Sequence, residues 1–158
     1  MSNLTHLDDK GRARMVDVGA KDSTARLART EGCLIRAAGT LHIVRKGRTP
    51  KGSVIQTAEL AGVMAAKQTA GLIPLCHLLA LTKIEVFIEL DDSLSGFRVA
   101  AEVRTIAQTG VEMEALTAVS VACLTLFDML KAVDRSMEIA GIGVTEKSGG
   151  TSGHWTAA

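Results

Sequence analysis

The stretch TKIEVFIELDDSLSGFRVAAEVR, residues 82–104, decides the fold of this chain. Apolar residues at Ile84, Val86 and Ile88 alternate mainly with charged ones, and the same two-residue period returns from Phe97 onwards. This period is typical of strands with one face in the core and the other in water. The polar letters DDSLSG between the two halves predict a tight turn. The stretch therefore predicts two neighbouring antiparallel strands.

The flanking sequence supplies the other elements of an α+β fold. An apolar segment at 33–38 predicts a strand, and 53–70 predicts a helix in which alanine and glycine recur at spacings of three and four. A longer helix is predicted over about 111–133, followed by a last strand over 137–145 with a bulge at Gly141. This order predicts a ferredoxin-like sandwich (βαββαβ) with an antiparallel sheet and an N-terminal extension.

The composition indicates one domain that folds without staples. The 158 residues, 47% of them hydrophobic, predict a single domain over 1–158 with flexible ends at about 1–14 and 148–158. Three separated cysteines without a C-x-x-C motif favour the reducing cytoplasm. The charge-free runs fall short of the roughly 20 apolar residues that a membrane span needs. A net charge of +1, with three Phe and one Trp, gives no basis for a nucleic-acid partner.

The long predicted helix carries no charged residue between Glu114 and Asp128. Since a helix that covers one face of a sheet should show a polar stripe, we expect this helix to be buried on two sides, one of them by another subunit. Its two ends carry the polar residues. From Glu112 to Asp128 the helical rise amounts to about 24 Å, too far for one small substrate. Either one end alone is functional, or the site lies between subunits.

The charged residues at the helix ends also have structural interpretations. Thr109 and Glu112 match the capping box T-x-x-E, in which the glutamate only completes the helix start. Asp128 and Lys131, three positions apart, match an ordinary helical ion pair. Lysines elsewhere in the chain are solvated surface residues in most proteins. The sequence patterns alone leave these alternatives open.

The corner IPLCHLL, residues 73–79, places a cysteine beside a histidine. Cys76 is expected to be a small apolar filler, since neighbouring side chains point apart and His77 cannot readily activate the thiol. The tail KSGGTSGHW, residues 147–155, has glycines and hydroxyls suited to a backbone nest for an anion. It lacks the residue order of a P-loop, so a flexible tail is the simpler interpretation.

Four segments together carry a resemblance to a known family. They are MVDVGAKDSTARLA (15–28), PKGSVIQTAELAGVMAAKQTAGLIPLCHLL (50–79), TGVEMEALTAVSVACLTLFDMLKAV (109–133) and EKSGGTSG (146–153). In these segments the sequence resembles the molybdenum-cofactor biosynthesis protein C family, the cyclic pyranopterin monophosphate synthases. Two departures are visible: the family usually has proline where this chain has Leu78, and often lysine where it has Gln108.

The resemblance implies a lyase that rearranges a cyclised dihydroguanosine triphosphate into cyclic pyranopterin monophosphate and releases pyrophosphate. It implies catalytic roles for three residues, Asp128, Lys131 and Lys51. It implies substrate contacts from ten others: Leu75, Cys76, His77, Glu112, Met113, Glu114, Lys21, Arg26, Lys67 and Lys147. It also implies a homohexamer, a trimer of dimers, whose active sites lie at subunit interfaces. Lysines gathered from two chains would supply the positive field that a net charge of +1 cannot.

No cofactor or metal site is required by the sequence, and Mg²⁺ is expected only as a companion of the triphosphate. A second hypothesis is a non-catalytic, ferredoxin-like oligomeric module that senses a nucleotide with the same basic pocket. Asp128 beside Lys131 favours the enzyme, because a sensor needs only charge, which arginine could supply. A purely structural assembly protein would explain the apolar helix but not the lysines.

Overall fold

The computed structural model describes residues 6–158 and shows an antiparallel sheet with helices packed on one face. The strands are Thr24–Ile35 (β1), Leu81–Asp91 (β2), Gly96–Ala107 (β3), Glu138–Ser148 (β4) and Trp155–Thr156 (β5). The helices are Ala38–Arg45 (α1), Val54–Lys67 (α2), Thr69–Leu72 (α3) and Glu112–Leu130 (α4). The strand order is β2-β3-β1-β4-β5, with antiparallel neighbours throughout. This order confirms the predicted ferredoxin-like fold.

The hairpin of β2 and β3 forms as its alternating residues predict. Val86 lies opposite Ala101 and Ile88 lies opposite Val99, and all four side chains are buried under the helices. The turn between the strands begins at Asp91, whose carboxylate accepts hydrogen bonds from the backbone N–H groups of the next residues. The charged residues between the buried positions face away from the core.

Strand β1 corrects the strand predicted at 33–38, because it occupies Thr24–Ile35 instead. Its inward-facing positions include Thr30 and Gly32, so the sequence of β1 does not show the regular alternation of apolar and polar residues that predicts a strand. These small residues are needed where α4 crosses the strand. A Cβ on Gly32 would lie 2.8 Å from the side chain of Val119 on α4, too close for any other residue.

The last long strand was predicted over 137–145, but β4 extends to Ser148. The predicted bulge is confirmed. Cys33 of β1 pairs with Ala140 and the pairing then shifts at Gly141, which has a φ of 64°. The extension matters for function, because it places Lys147 at the end of the sheet nearest the start of α4.

The helices differ from the predicted ones at their ends. The segment 53–70 forms α2 and then the single turn α3, with a break at Gln68. Helix α1 has no counterpart among the predicted elements. The long helix is confirmed as α4, but within the described residues its start at Val111 has no side-chain cap, so the capping box predicted from Thr109 does not form.

Small residues let α2 approach α4 and the sheet closely. A Cβ on Gly62 would lie 2.9 Å from the carbonyl oxygen of Ala118 and 3.0 Å from the side chain of Val86. Ala58 and Ala65 are buried on the same face of α2. This contact confirms that the recurring alanine and glycine residues form a packing face.

Helix α4 is long and apolar enough to cross a membrane by composition alone, yet 56% of it is buried inside the fold. It therefore has the burial of a core helix. Its outward side is also apolar, since Leu124 is 57% exposed, and α2 exposes Leu60 and Met64 on the same layer. We call these three residues the outer helix face. Its burial by another subunit stays a prediction.

The two ends of the chain were predicted to be flexible. Residues 1–5 of the N-terminal end lie outside the described part of the structure. At the C-terminal end, β5 pairs with β4 through Trp155 and Lys147. The flexibility of both ends, like the single-domain boundary, stays a prediction.

Candidate active site at the two ends of helix α4

A carboxylate and two lysines meet at the last turn of α4. Lys51 Nζ donates hydrogen bonds to Asp128 Oδ2 at 2.9 Å and to the Asp128 carbonyl oxygen at 3.1 Å. Lys131 Nζ lies 2.7 Å from Asp128 Oδ1. Lys51 precedes α2, which runs antiparallel to α4, so the packing of the two helices brings it to the helix end. We call these residues the carboxylate–lysine cluster.

The electrostatics of this cluster favour a permanently ionised carboxylate. Hydrogen bonds from Lys131 and Lys51 lower the pKa of Asp128 to about 2. At neutral pH Asp128 therefore holds two ammonium groups in place and has no proton to donate. The cluster lines a cavity of about 360 Å³ together with Phe127 and Arg135. The cavity thus offers three cations against one carboxylate.

Two neighbouring cavities lie at the opposite end of α4. The first, of about 270 Å³, is lined in part by Val16, Lys21, Leu75, Cys76, His77 and Met113. The second, of about 560 Å³, is lined in part by Lys21, Asp22, Arg26, Gln108, Glu112 and Lys147. Eight of the ten residues that were predicted to contact the substrate line one or both cavities. We call the first of these cavities the corner cavity and the second the cationic cavity.

Glu112 binds a cation and does not cap the helix. Its carboxylate accepts a hydrogen bond from Lys147 Nζ on β4. Gly110 makes room for this contact, since a Cβ there would lie 2.9 Å from the carboxyl carbon of Glu112. With Glu112 and Asp22 as its carboxylates, the cationic cavity holds three cations against two anions.

Glu114 lies beneath the corner cavity and is 3% exposed. The Cys76 thiol makes a weak hydrogen bond to its Oε1 across 3.7 Å, and within residues 6–158 its Oε2 has no hydrogen-bond partner. Burial raises the pKa of the Glu114 carboxyl. Burial and the nearby carboxyl raise the pKa of Cys76 to about 11, so the thiol is protonated and a poor nucleophile.

His77 contacts the N-terminal segment of the chain. Its Nε2 lies 2.6 Å from the carbonyl oxygen of Val16, and because a carbonyl only accepts hydrogen bonds, Nε2 carries a proton. The imidazole therefore holds the N-terminal segment as one wall of the corner cavity, which it also lines.

We expect Cys76→Ser to keep most activity, because the thiol has no nucleophilic or acid–base task. His77→Ala should lower kcat/KM by about tenfold or more, since it removes a hydrogen bond that shapes the cavity wall. Steady-state pyrophosphate release would measure both. His42→Ala, at an exposed histidine of α1, is the matched control. Complete loss of activity in Cys76→Ser, with a trapped thiol adduct in the parent protein, would restore the nucleophile hypothesis.

Two predicted site residues line none of the three cavities, and several lining residues were not predicted, among them Val16 and Arg135. Lys67 is exposed in the last turn of α2 and lines none of the three cavities. Glu114 lies just beneath one. Val16 acts through its backbone carbonyl, for which a sequence gives no signal. Arg135 could have been found as the next basic residue after Lys131.

The structure defines a class: a ferredoxin-like protein whose basic, small-molecule-sized cavities lie at the two ends of one core helix. The profile of the MoaC family matches residues 15–150, and the chain belongs to this family. It is similar to a protein of Methylobacterium sp. (strain 4-46) named "Cyclic pyranopterin monophosphate synthase", with 58% identity over 157 residues. That match covers 99% of this chain and 98% of the relative.

Proteins of Brucella ovis and Brucella abortus (strain 2308) bear the same name. Each is 59% identical over 152 residues, which cover 96% of this chain and 92% of the relative. These matches confirm the family that the sequence resemblance indicated, and they confirm the enzyme class. The roles of individual residues stay predictions.

Proposed function

We propose that this chain is a cyclic pyranopterin monophosphate synthase of molybdenum cofactor biosynthesis. The reaction is the lyase-type rearrangement of a cyclised dihydroguanosine triphosphate into cyclic pyranopterin monophosphate, with release of pyrophosphate. The observation that carries the proposal is near-full-length similarity to synthases of that name, at 58% identity. The carboxylate–lysine cluster supplies groups that the chemistry requires.

The charge of the cavities suits a polyphosphate only when both ends of α4 contribute. Three cations face two carboxylates in the cationic cavity, and three face one in the cavity at the other helix end. Each cavity alone is a weak site for a triphosphate, whereas the two combined carry a clear positive excess. In one chain the length of α4 keeps them about 24 Å apart. We therefore place each active site between two chains.

Within such a site the residues divide the work. Lys21, Arg26 and Lys147 bind the phosphates, and Lys21 and Lys147 favour their departure as pyrophosphate by neutralising its charge. Asp128 stays ionised and holds Lys51 and Lys131, the two groups that exchange protons with the ring nitrogens and oxygens during ring opening and closure. The cluster fixes the positions of both ammonium groups, because the two lysines bind the same carboxylate.

The assembly that we propose is a hexamer, a trimer of dimers, in which the outer helix face is a dimer contact. Its three residues expose large apolar side chains on one helix layer, which favours burial by another protein surface. We further propose that the enzyme acts in the cytoplasm, without a nucleic-acid or membrane partner. Mg²⁺ would travel with the triphosphate and need no resident site, and the described residues offer no cluster of three metal-ligating side chains.

Leu124→Asp is expected to split the dimer, because a charge at the centre of an apolar contact would be buried without a partner. Analytical ultracentrifugation should show dissociation, with circular dichroism as the check on folding. Phe87→Asp, at a residue 51% exposed on the opposite face of the sheet, is the matched control and should keep the dimer. A stable and active parent protein at the monomer mass of 16.6 kDa would contradict the proposed assembly.

The function is tested by incubation with the cyclised triphosphate. We expect release of pyrophosphate and a fluorescent pterin after oxidation of the product. A stopped reaction that contains the substrate unchanged and bound would support the nucleotide-sensing module instead. Addition of a chelator tests the metal, and undiminished turnover would show that Mg²⁺ is not required.

A further inference from the structure

The C-terminal turn after β4 packs against the side chain of Arg26 without an intervening side chain. Gly150 has a φ of 73°. A Cβ at this position would overlap Arg26 Nη1 and would lie 2.6 Å from its Cζ and 2.9 Å from its Nη2. The guanidinium thus lies directly on the backbone of the turn. No other residue than glycine leaves this space open.

The opposite side of the guanidinium contacts the end of β3. Arg26 Nε donates a hydrogen bond to the carbonyl oxygen of Ala107 at 3.4 Å. Arg26 is therefore held between a strand end on one side and the glycine turn on the other. Both Arg26 and Gly150 line the cationic cavity, so the guanidinium that they fix lies at the wall of the ligand space.

We infer that Gly150 is a positioning residue for Arg26: its bare backbone clamps the guanidinium so that the planar fork faces the phosphates of the substrate. Arginine binds phosphate oxygens through two parallel N–H groups, which requires a fixed plane. Holding that plane before binding lowers the entropy cost of the contact. The inference rests on the proposed function for the identity of the substrate, while the clamp itself concerns any polyphosphate.

Three glycines of the same turn provide a graded test. All have positive φ, 98° at Gly149, 73° at Gly150 and 65° at Gly153, so alanine meets a similar left-handed backbone at each. At Gly150 the added methyl meets the end of a flexible side chain, which can move aside without unfolding the turn. At Gly153 it meets nothing within 4 Å among the described residues.

Gly149 is the structural contrast. A Cβ there would overlap the carbonyl oxygen of Ala25, which belongs to the β1 backbone and cannot move aside. Gly149→Ala should therefore lower the melting temperature, whereas Gly150→Ala and Gly153→Ala should lower it by the same smaller amount. Equal decreases in melting temperature in all three variants would mean that alanine destabilises the turn only through its backbone conformation.

Binding of inorganic tripolyphosphate, measured by calorimetry, is the direct readout. We expect Gly150→Ala to weaken binding about tenfold, the effect of one charge-assisted hydrogen bond, and Gly153→Ala to bind like the parent protein. In an Arg26→Ala background, Gly150→Ala should have no further effect. Equal affinities of the Gly150 and Gly153 variants, or an undiminished Gly150 effect without Arg26, would overturn the clamp. A parent protein that fails to bind tripolyphosphate would also overturn the clamp.

Turnover separates this inference from the proposed function. With the cyclised triphosphate, Gly150→Ala should raise KM about tenfold and leave kcat nearly unchanged, because the displaced Arg26 binds the substrate and does not transfer protons. A fall in kcat alone would contradict a positioning role. A parent protein that binds tripolyphosphate with the expected glycine series but forms no pterin would sink the proposed function and leave the clamp standing.

Discussion

Replacement of Asp128 by alanine should lower kcat by about two to four orders of magnitude, the range found for a lost proton-transfer arrangement. The reason is the cluster geometry. Asp128 receives Lys51 at 2.9 Å and Lys131 at 2.7 Å, so its loss frees both lysines from their positions. Lys51→Ala should have a similar effect, because it removes one of the proton-transfer groups itself.

The measurement is single-turnover pterin formation, with sedimentation to show an intact oligomer. Asp92→Ala is the matched control: it also removes an exposed aspartate, one that binds Arg45 through two hydrogen bonds outside the cavities. We expect its kcat to equal that of the parent protein. An Asp128→Ala protein that keeps more than about a tenth of the parent kcat would remove the cluster from the chemistry.

The pH dependence follows from the same carboxylate. The pKa of Asp128 is lowered to about 2 from its usual 3.8, so its contribution to stability is complete above the unfolded value and is lost as pH falls through the folded one. Between pH 5 and 8 the carboxylate does not change its charge. A limb of the rate profile in that range therefore belongs to another group of the site.

The β2–β3 hairpin could be predicted from the sequence because its packing partners are large and alternate regularly. Strand β1 could not, since its inward positions hold residues such as Gly32 that fit against Val119 of α4. Small residues at a close contact carry no hydrophobic period. The size of a residue there is set by the element that crosses it, which local sequence does not report.

Only part of the candidate site could be predicted from the sequence. The i,i+3 spacing of Asp128 and Lys131 predicted their ion pair, which forms. The contact of Lys51 with Asp128 joins residues 77 positions apart and depends on the packing of α2 against α4, so only the family resemblance pointed to it. The capping box does not form, because Glu112 binds Lys147 of β4. Local sequence spacing cannot reveal this partner.

Two inactive variants should restore activity when their subunits exchange. One carries Asp128→Ala at the carboxylate–lysine cluster, and the other carries Lys21→Ala with Lys147→Ala in the cationic cavity. If each site joins the two helix ends of different chains, a mixed dimer contains one site with both defects and one with none. Random exchange of equal amounts should therefore give about a quarter of the parent activity.

The length of α4 makes this outcome specific. A site within one chain would have to bring together groups about 24 Å apart, and every chain in the mixture would still carry a defect, so no activity could return. Mass spectrometry of differently labelled subunits would confirm exchange, and each variant mixed with itself is the control. Confirmed exchange without recovery would show that one end of the helix forms the whole active site, and that the charge excess must come from residues nearer to it.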